Sequence, residues 1–393
     1  MKQRVLLAMS GGVDSSVAAL LLKKQGYEVI GAFMKCFSDT KNPLTGECNW
    51  RAERRMAMKI ASLLDISFVT LDFEKEYKKY VVNEMFKIYR KGITPNPDVD
   101  CNNKVKFPLL WKAAKKMKCG LIATGHYVRV RRVDGYGKSL KGSDSRHHPP
   151  PTSPEWRVTE PSHSSSFFCF ELLRGKDESK DQSYFLYRLS QKDLVHTLFP
   201  IGELTKVEVR EIARKNNFPN YDKKGTTGIC FIGKIDTKKF LKKKIKPKKG
   251  KLLDVGGNVI GEHDGIYFYT IGERIGPRHG IEFEKKGDDK KKIRKWYVAR
   301  KNLKRNEIVL APEGHRLNFR KEIVVKSLHL ILKKKLPLKV NVRIRHVGEL
   351  LPATVKGEKI VLRKAITGVS EGQAIVFYKK NSSECLGGGV IGF

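Results

Sequence analysis

The sequence predicts an α/β fold, a parallel-sheet domain followed by a small β-rich central domain and a C-terminal β-barrel, and three observations carry that prediction. Strand-like and helix-like segments alternate over the first 125 or so residues. From about residue 250 the pattern changes to short β-like runs separated by Gly turns, and the tail spaces its apolar runs like the strands of a small barrel. A chain of 393 residues also exceeds what one hydrophobic core usually organises, so several domains are expected.

The alternation runs RVLLAM, SVAALLLKKQG, YEVIGAFM, WRAERRMAMKIASLLD, SFVTLDF, a further helical stretch and GLIATGHYV. Residues 136–166 then crowd Pro, Ser, Gly and charge without periodicity, which predicts a disordered insertion whose His147 and His148 are solvated loop residues. Helical patterning returns in SQKDLVHTLFP and in TKVEVREIARKNNF, the latter stopping at Asn and Pro. The β-like runs are KLLDVGGNVIGEHDG, IYFYTIGE, KWYVARKN and EIVLAPE, then KVNVRIRH, KIVLRKAI, QAIVFYKK and CLGGGVIGF. These shifts divide the chain into residues 1–215, 216–295 and 296–393.

Composition narrows the partners. Lys and Arg number 79 against 41 Asp and Glu, a net charge of +38, which points to a polyanion and first to nucleic acid. Ten lysines and one acid in KIDTKKFLKKKIKPKKGK, residues 234–251, concentrate that charge; alone such a run is as readily a solvated face, and beside the Cys230 motif it predicts contact with a nucleic-acid backbone rather than sequence readout. Seven cysteines form an odd set without a CxxC pair, arguing against a disulfide scaffold, a zinc ribbon or an iron–sulfur cluster and for reduced thiols. With neither a signal-peptide pattern nor an apolar run of membrane-spanning length, the expectation is a monomer of the cytoplasm, with the mitochondrial matrix as the alternative.

The chemistry starts at Ser10-Gly11-Gly12-Val13-Asp14-Ser15-Ser16, directly after the first strand and opening a helix. Two glycines let the backbone approach an anion, the helix N-terminus adds its dipole, and the hydroxyls of Ser10, Ser15 and Ser16 are donors for phosphate oxygens. Asp14 is a candidate magnesium ligand. No lysine follows the glycines, so this is not the GxxxxGK[ST] loop. The stretch GTTGICFIG, residues 225–233, sets Cys230 in a tight turn leading into a strand; taken alone, a small buried residue explains it as well as a reactive one.

SGGVDSS resembles the loop of N-type ATP pyrophosphatases, the adenine nucleotide alpha hydrolase-like enzymes that adenylate a carbonyl oxygen. Further segments in order, namely Thr94–Asp98 with Cys101-Asn102 and Lys106-Phe107, Ala123–Tyr127, Lys180–Leu186 and Gly228–Gly233, resemble the tRNA-uridine 2-sulfurtransferase family. Trp296–Val298, Arg343–Arg345, Gly372-Gln373 and Cys385–Gly389 continue the similarity almost to Phe393.

The resemblance implies thiolation of the wobble uridine of tRNA after adenylation of its C2 oxygen. It places ATP along Ala8, Met9, Ser10, Gly11, Gly12, Val13, Asp14 and Ser15, with Met34 and Gly125 also contacting the nucleotide. It implies Asn96, Pro97 and Asp98 at the flipped-out base, Asp98 as general acid or base, and tRNA contacts from His126, Lys180, Asp181, Gln182, Arg343, Ile344 and Gln373. It makes Cys230 the persulfide carrier and Cys101 the second nucleophile, with a transient Cys101–Cys230 disulfide, Mg2+ beside ATP, and a persulfide sulfur donor, a protein sulfur carrier or cysteine desulfurase relay, as partner. Cys36, Cys119, Cys169 and Cys385 are expected to be small buried apolar residues. Between Cys36 and Cys48 the segment FSDTKNPLTGE departs from the family's Met-Lys-Asn-Trp pattern. Rival readings are a small-molecule synthetase on the same fold, which predicts neither placed cysteines nor a basic tail, and a catalytically silent RNA-binding protein, which does not need Asp14, Ser15, Cys101 and Cys230.

Overall fold

The computed structural model describes residues 2–40, 48–134, 168–225, 228–233, 236–276 and 295–393. The expected insertion at 136–166, with His147 and His148, lies outside the described residues.

The first strand, β1 (Arg4–Ala8), buries Val5, Leu6 and Leu7 completely, as a parallel strand covered on both faces must. The chain crosses through α1 (Val13–Lys24) to β2 (Glu28–Lys35) and through α2 (Asn49–Leu63) to β3 (Ser67–Asp72). A longer crossover follows: α3 (Glu74–Tyr77), a π-helical turn at Lys78–Val82, α4 (Asn83–Arg90), α5 (Pro97–Asp100), a second π-helical turn at Cys101–Lys106 and α6 (Phe107–Lys116). It delivers β4 (Leu121–Thr124) to the other side of β1.

Next, β5 (Val128–Asp134) and β6 (Phe168–Arg174) form an antiparallel pair, followed by α7 (Ser183–Leu186), α8 (Gln191–Leu194), β7 (Thr197–Leu198) and α9 (Lys206–Lys215). SQKDLVHTLFP, expected to be helical throughout, forms one turn closed by a Ser190–Asp193 capping box. Its last part becomes β7, because Ile122 and Ala123 of β4 offer a free parallel edge that pairs Thr197 and Leu198. The finished sheet has the order β3-β2-β1-β4-β7, all parallel.

A short helix, α10 (Thr237–Lys242), buries Phe240 and Leu241 and packs Phe240 at a tilt against Phe86, 5.4 Å between ring centroids. It leads into a five-stranded sheet of β8 (Gly250–Leu253), β9 (Val259–His263), β10 (Arg274–Ile275), β11 (Trp296–Asn302) and β12 (Glu307–Pro312). The strand at Trp296, which the sequence division assigns to the last unit, pairs with β10 and β12 in this middle sheet. IYFYTIGE is a 3-10 turn and loop rather than a strand.

The tail supplies β13 (Arg320–Leu330), β14 (Leu338–Arg343), β15 (Leu351–Lys356), β16 (Lys359–Ile366), β17 (Ala374–Lys379) and β18 (Glu384–Gly392). Pairing of β13 with both β16 and β18 closes these six strands into a barrel around Val325, Val340, Val355, Ile360 and Phe377, all fully buried. The β5–β6 pair extends the barrel sheet beyond β18, Cys385 opposite Leu172, and so ties the barrel to the first domain.

Candidate active site

Strand order reverses between β1 and β4, and in parallel sheets the crevice outside the C-terminal ends at such a point binds ligands. A cavity of about 580 Å3 opens there, lined by Ala8, Met9, Ser10, Gly12, Val13, Asp14 and Ser15, with Met34 and Gly125 across from them. Gly11 has φ +76°, and a Cβ there would fall 2.3 Å from the Glu53 carbonyl oxygen, so only glycine closes this turn. Gly12 caps α1 without a side-chain hydrogen bond, which leaves the first helical amides open. Ser15 and Ser16 donate to the Gly12 carbonyl, each at 3.0 Å. Ser16 is buried and also accepts from Asn220 Nδ2 at 3.0 Å, so it tightens the loop instead of facing the cavity as expected.

Two lysines that sequence reasoning passed over complete this site. Lys206 Nζ and Tyr127 Oη both donate to Asp14 Oδ1, at 2.6 and 2.7 Å. Lys223 Nζ donates to Glu53 Oε2 at 2.5 Å and lies 3.4 Å from the Gly11 carbonyl oxygen. Both line the cavity as cations already paired with carboxylates, a reserve of positive charge that an incoming polyphosphate would share. Nothing in the local sequence marks them, since their partners stand 192 and 170 residues away.

A second cavity of about 300 Å3 has Pro95, Asn96, Pro97 and Asp98 on one side and Phe185, Arg345, His346 and Gln373 on the other. The turn at residues 228–233 lies between the two: Gly228 and Ile229 line both, and Cys230 lines the larger. The turn closes through Gly233 N–H donating to Ile229 at 2.8 Å and carries Phe231 at φ +64°, a left-handed conformation uncommon for an aromatic residue. It does not run into a strand as expected; α10 follows.

Three contacts fix Cys230. Its N–H donates to Asp98 Oδ1 at 2.8 Å, its carbonyl accepts from Tyr77 Oη, and its sulfur accepts from the Cys101 thiol at 3.7 Å. Lys106 stands 5.6 Å from the Phe231 ring centroid and 3.3 Å from His126 Nε2. Cys101 and Lys106 begin and end the same π-helical turn, whose i to i+5 bonding sets them one turn apart on one face, as π-turns often do at functional sites. The hydrogen bond from Cys101 and the Lys106 ammonium hold the Cys230 thiol below its ordinary pKa, while burial and the neighbouring Cys230 push Cys101 well above. The pair is therefore asymmetric: Cys230 is the more acidic thiol, and Cys101 donates the hydrogen bond between them. Burial raises Asp98 despite its Cys230 hydrogen bond. Burial and Lys106 keep His126 neutral, with Thr124 Oγ1 at 2.7 Å from its Nδ1.

Comparison with known proteins decides the relationship. The profile of the tRNA methyl transferase HUP domain matches residues 3–234, that of the tRNA methyl transferase PRC-barrel domain residues 238–312, and that of the aminomethyltransferase beta-barrel domain residues 320–391. The tRNA-specific 2-thiouridylase MnmA of Nitrosomonas europaea is 38% identical over 99% of this chain and 98% of its own length. Those of Streptococcus thermophilus and Nitrosococcus oceani are 36% and 37% identical, again over 99% of this chain and 95% and 97% of theirs. The chain belongs to the tRNA-specific 2-thiouridylase family.

The structure divides the residues that the 2-thiouridylase resemblance assigned to tRNA. Asn96, Pro97, Asp98 and Gln373 line the smaller cavity, where Gln373 Nε2 donates to the Thr94 and Pro95 carbonyls, both at 2.9 Å. His126 and Gln182 face the larger cavity instead, Gln182 Oε1 accepting from Tyr127 N–H at 2.9 Å. Lys180 is exposed in a turn. Asp181, Arg343 and Ile344 are 0%, 5% and 7% exposed, and Arg343 Nη1 donates to Asp181 Oδ2 at 2.6 Å, so these side chains face the junction between the first domain and the barrel. Arg345 and His346, which no expectation singled out beyond the Arg343–Arg345 motif, line the cavity, with His346 4.6 Å from the Phe185 ring centroid. Among the described residues no group of three or more His, Cys, Asp or Glu side chains could hold a metal ion, and no helix is long and apolar enough to cross a membrane.

Proposed function

We propose that this chain catalyses ATP-dependent 2-thiolation of the wobble uridine of tRNA, with Cys230 as sulfur carrier. The observation that carries the reading is the position of Cys230, in the turn between a nucleotide-sized and a base-sized cavity, with a second thiol at 3.7 Å and a carboxylate on its N–H. The relatives' printed names support the same chemistry.

The larger cavity fits ATP, because Gly125 lets β4 pass so close to the loop that a Cβ would stand 2.8 Å from Ser15 N, and because open helix amides, Lys206 and Lys223 meet there. ATP, consumed as a substrate, supplies the activation that makes the C2 oxygen of uracil a leaving group. Mg2+ fits as a companion of the phosphates beside Asp14, whose two hydrogen bonds both fall on Oδ1.

In the smaller cavity Asn96, Pro97 and Asp98 hold the base, and Asp98, raised by burial, exchanges a proton with it. Cys230, its thiol made more acidic by Cys101 and Lys106, accepts sulfur from a persulfide donor, a protein carrier or desulfurase relay, and presents it to C2. Once the terminal sulfur has bonded to C2, Cys101 attacks Cys230 Sγ and breaks its bond to that sulfur, which stays on the base as AMP departs with the C2 oxygen, and a reductant reopens the Cys101–Cys230 disulfide. The exposed lysines of 239–249, Lys180 and the mouth of the smaller cavity contact the tRNA backbone, adding affinity.

The test is a reconstituted assay with tRNA, ATP, Mg2+ and a persulfide donor, reading 2-thiouridine by mass spectrometry. Cys230→Ser loses the product and keeps tRNA-stimulated pyrophosphate release. Thiolation retained by that variant overturns the assignment.

A further inference from the structure

Cys36, expected to be a small buried residue, stands where the catalytic thiols are. It follows the C-terminal end of β2 and lines the same 580 Å3 cavity as Cys230. Tyr77 joins the two segments: its ring packs edge-on against Phe37 at 6.3 Å and against Phe231 at 5.8 Å, and its hydroxyl donates to the Cys230 carbonyl. Burial pushes the Cys36 thiol up, the Cys230 charge adds to this, and Lys106 opposes it, so Cys36 shares the two partners that tune Cys101. Half-buried Cys48 lines the same cavity but its thiol is engaged by the Ser38 carbonyl at 3.2 Å, while Cys119 stands near Arg4 and Glu28, Cys169 near Lys334, and Cys385 in the barrel sheet.

We propose that Cys36 is a third thiol of the sulfur centre, forming a disulfide with Cys230 in competition with Cys101. The inference rests on the sulfur-transfer reading above. When Cys230 carries a persulfide received from a persulfide donor, the Cys36 sulfur attacks Cys230 Sγ. The Cys36–Cys230 bond forms and the bond from Cys230 Sγ to the terminal sulfur breaks. The terminal sulfur leaves with the electron pair and takes up the Cys36 proton, so one thiol and one persulfide become one disulfide and hydrogen sulfide. Cys101 is fully enclosed and does not line the larger cavity, whereas Cys36 and Cys230 both line it, so on this proposal a charged carrier discharges even when Cys101 is blocked. Reopening the Cys36–Cys230 disulfide calls for the same thiol reductant as the Cys101–Cys230 bond.

The experiment needs no substitution at Cys36. Full-length Cys101→Ser protein is charged with glutathione persulfide, quenched with N-ethylmaleimide and mapped by mass spectrometry without reduction. A Cys36–Cys230 linked peptide is expected as the main internal disulfide, and the wild type should give it together with the Cys101–Cys230 peptide. Persulfidated Cys230 without a Cys36 link, or a link to cavity-lining Cys48 in its place, overturns the proposal. A diamide arm on the same protein reads the approach of the two thiols without any persulfide. Parallel thiolation of tRNA by the wild type separates the two failures: lost thiolation sinks the sulfur-transfer reading, while intact thiolation without the Cys36 link sinks only this inference.

Discussion

Lys106→Met keeps the volume of the side chain and removes the charge facing the thiols. A unit charge on the order of 5 Å away, at an effective dielectric of about 20, is worth about 3 kcal/mol to a thiolate. Cys230 is half-buried, and solvent screening takes roughly half of that, which leaves a rise of about 1 pKa unit in Cys230. The sign follows from the charge: without the ammonium the thiolate is disfavoured, so the midpoint of its titration moves to higher pH. At pH values below the midpoint the thiolate fraction falls about tenfold, but a thiolate of higher pKa is also the stronger nucleophile, so the alkylation rate there falls only about threefold. The assay is a short iodoacetamide pulse across a pH series, with the Cys230 peptide quantified by mass spectrometry. Lys104→Met, whose ammonium pairs with Asp100 at 2.8 Å, is the control for a general loss of positive charge. An unchanged midpoint in Lys106→Met would refute the electrostatic account of Cys230, and an equal shift in both variants would assign it to net charge alone.

Gly125→Ala pushes a methyl against the backbone of Ser15 and is expected to weaken nucleotide binding at least tenfold with little change in circular dichroism; calorimetric titration with a non-hydrolysable ATP analogue checks it. Arg343→Met strands the buried Asp181 carboxylate and should cost about 3–5 kcal/mol in chemical denaturation, whereas Lys180→Ala should leave stability within about 0.5 kcal/mol and reduce only tRNA affinity. Burial pushes Asp264 up, but hydrogen bonds from Lys238, Lys242 and Tyr269 outweigh it and bring the carboxyl down to about 2. Its contribution is therefore present above the ordinary carboxylate range and lost as pH falls through about 2; after discounting for exposure, Asp264→Asn should lower stability by about 1 kcal/mol at pH 7 and by only a small part of that at pH 2.

What the sequence revealed divides along physical lines. The parallel sheet was legible because β1, β2 and β4 are continuous apolar runs and the crossovers between strands carry helical periods, both local properties. SGGVDSS was legible because two glycines before a helix are a backbone requirement written in residue type. The helical reading of HTLFP failed because an open edge of β4, far away in sequence, recruits Thr197 and Leu198. Lys206, Lys223 and Lys106 went unassigned because a lysine carries no sign of what it will face among 79 basic residues. Asp181 and Arg343 were named for tRNA by the family resemblance alone, and their pairing with each other at the barrel junction was not legible because 162 residues separate them; neither could be buried alone.

The turn at Cys230 brings these levels together. Cys230 lines the nucleotide-side cavity while its N–H is held by Asp98, which lines the base-side cavity. Presenting sulfur to the base therefore requires the turn to yield at that bond. An N–H bond to a carboxylate is charge-assisted and becomes an ordinary one when the carboxyl is protonated, a loss of about 1 kcal/mol. Burial already raises Asp98 toward proton uptake. In the proposed reaction, then, the proton that Asp98 takes from the base also loosens its hold on Cys230, and release of the sulfur-bearing turn follows the chemistry of the base it serves. Asp98→Asn, which keeps a neutral acceptor in place, separates the two roles: thiolation should fall by at least about a hundredfold for want of the proton transfer, while persulfide loading of Cys230, read by mass spectrometry, should persist. Loss of loading as well would show that the charge of Asp98 builds the turn itself.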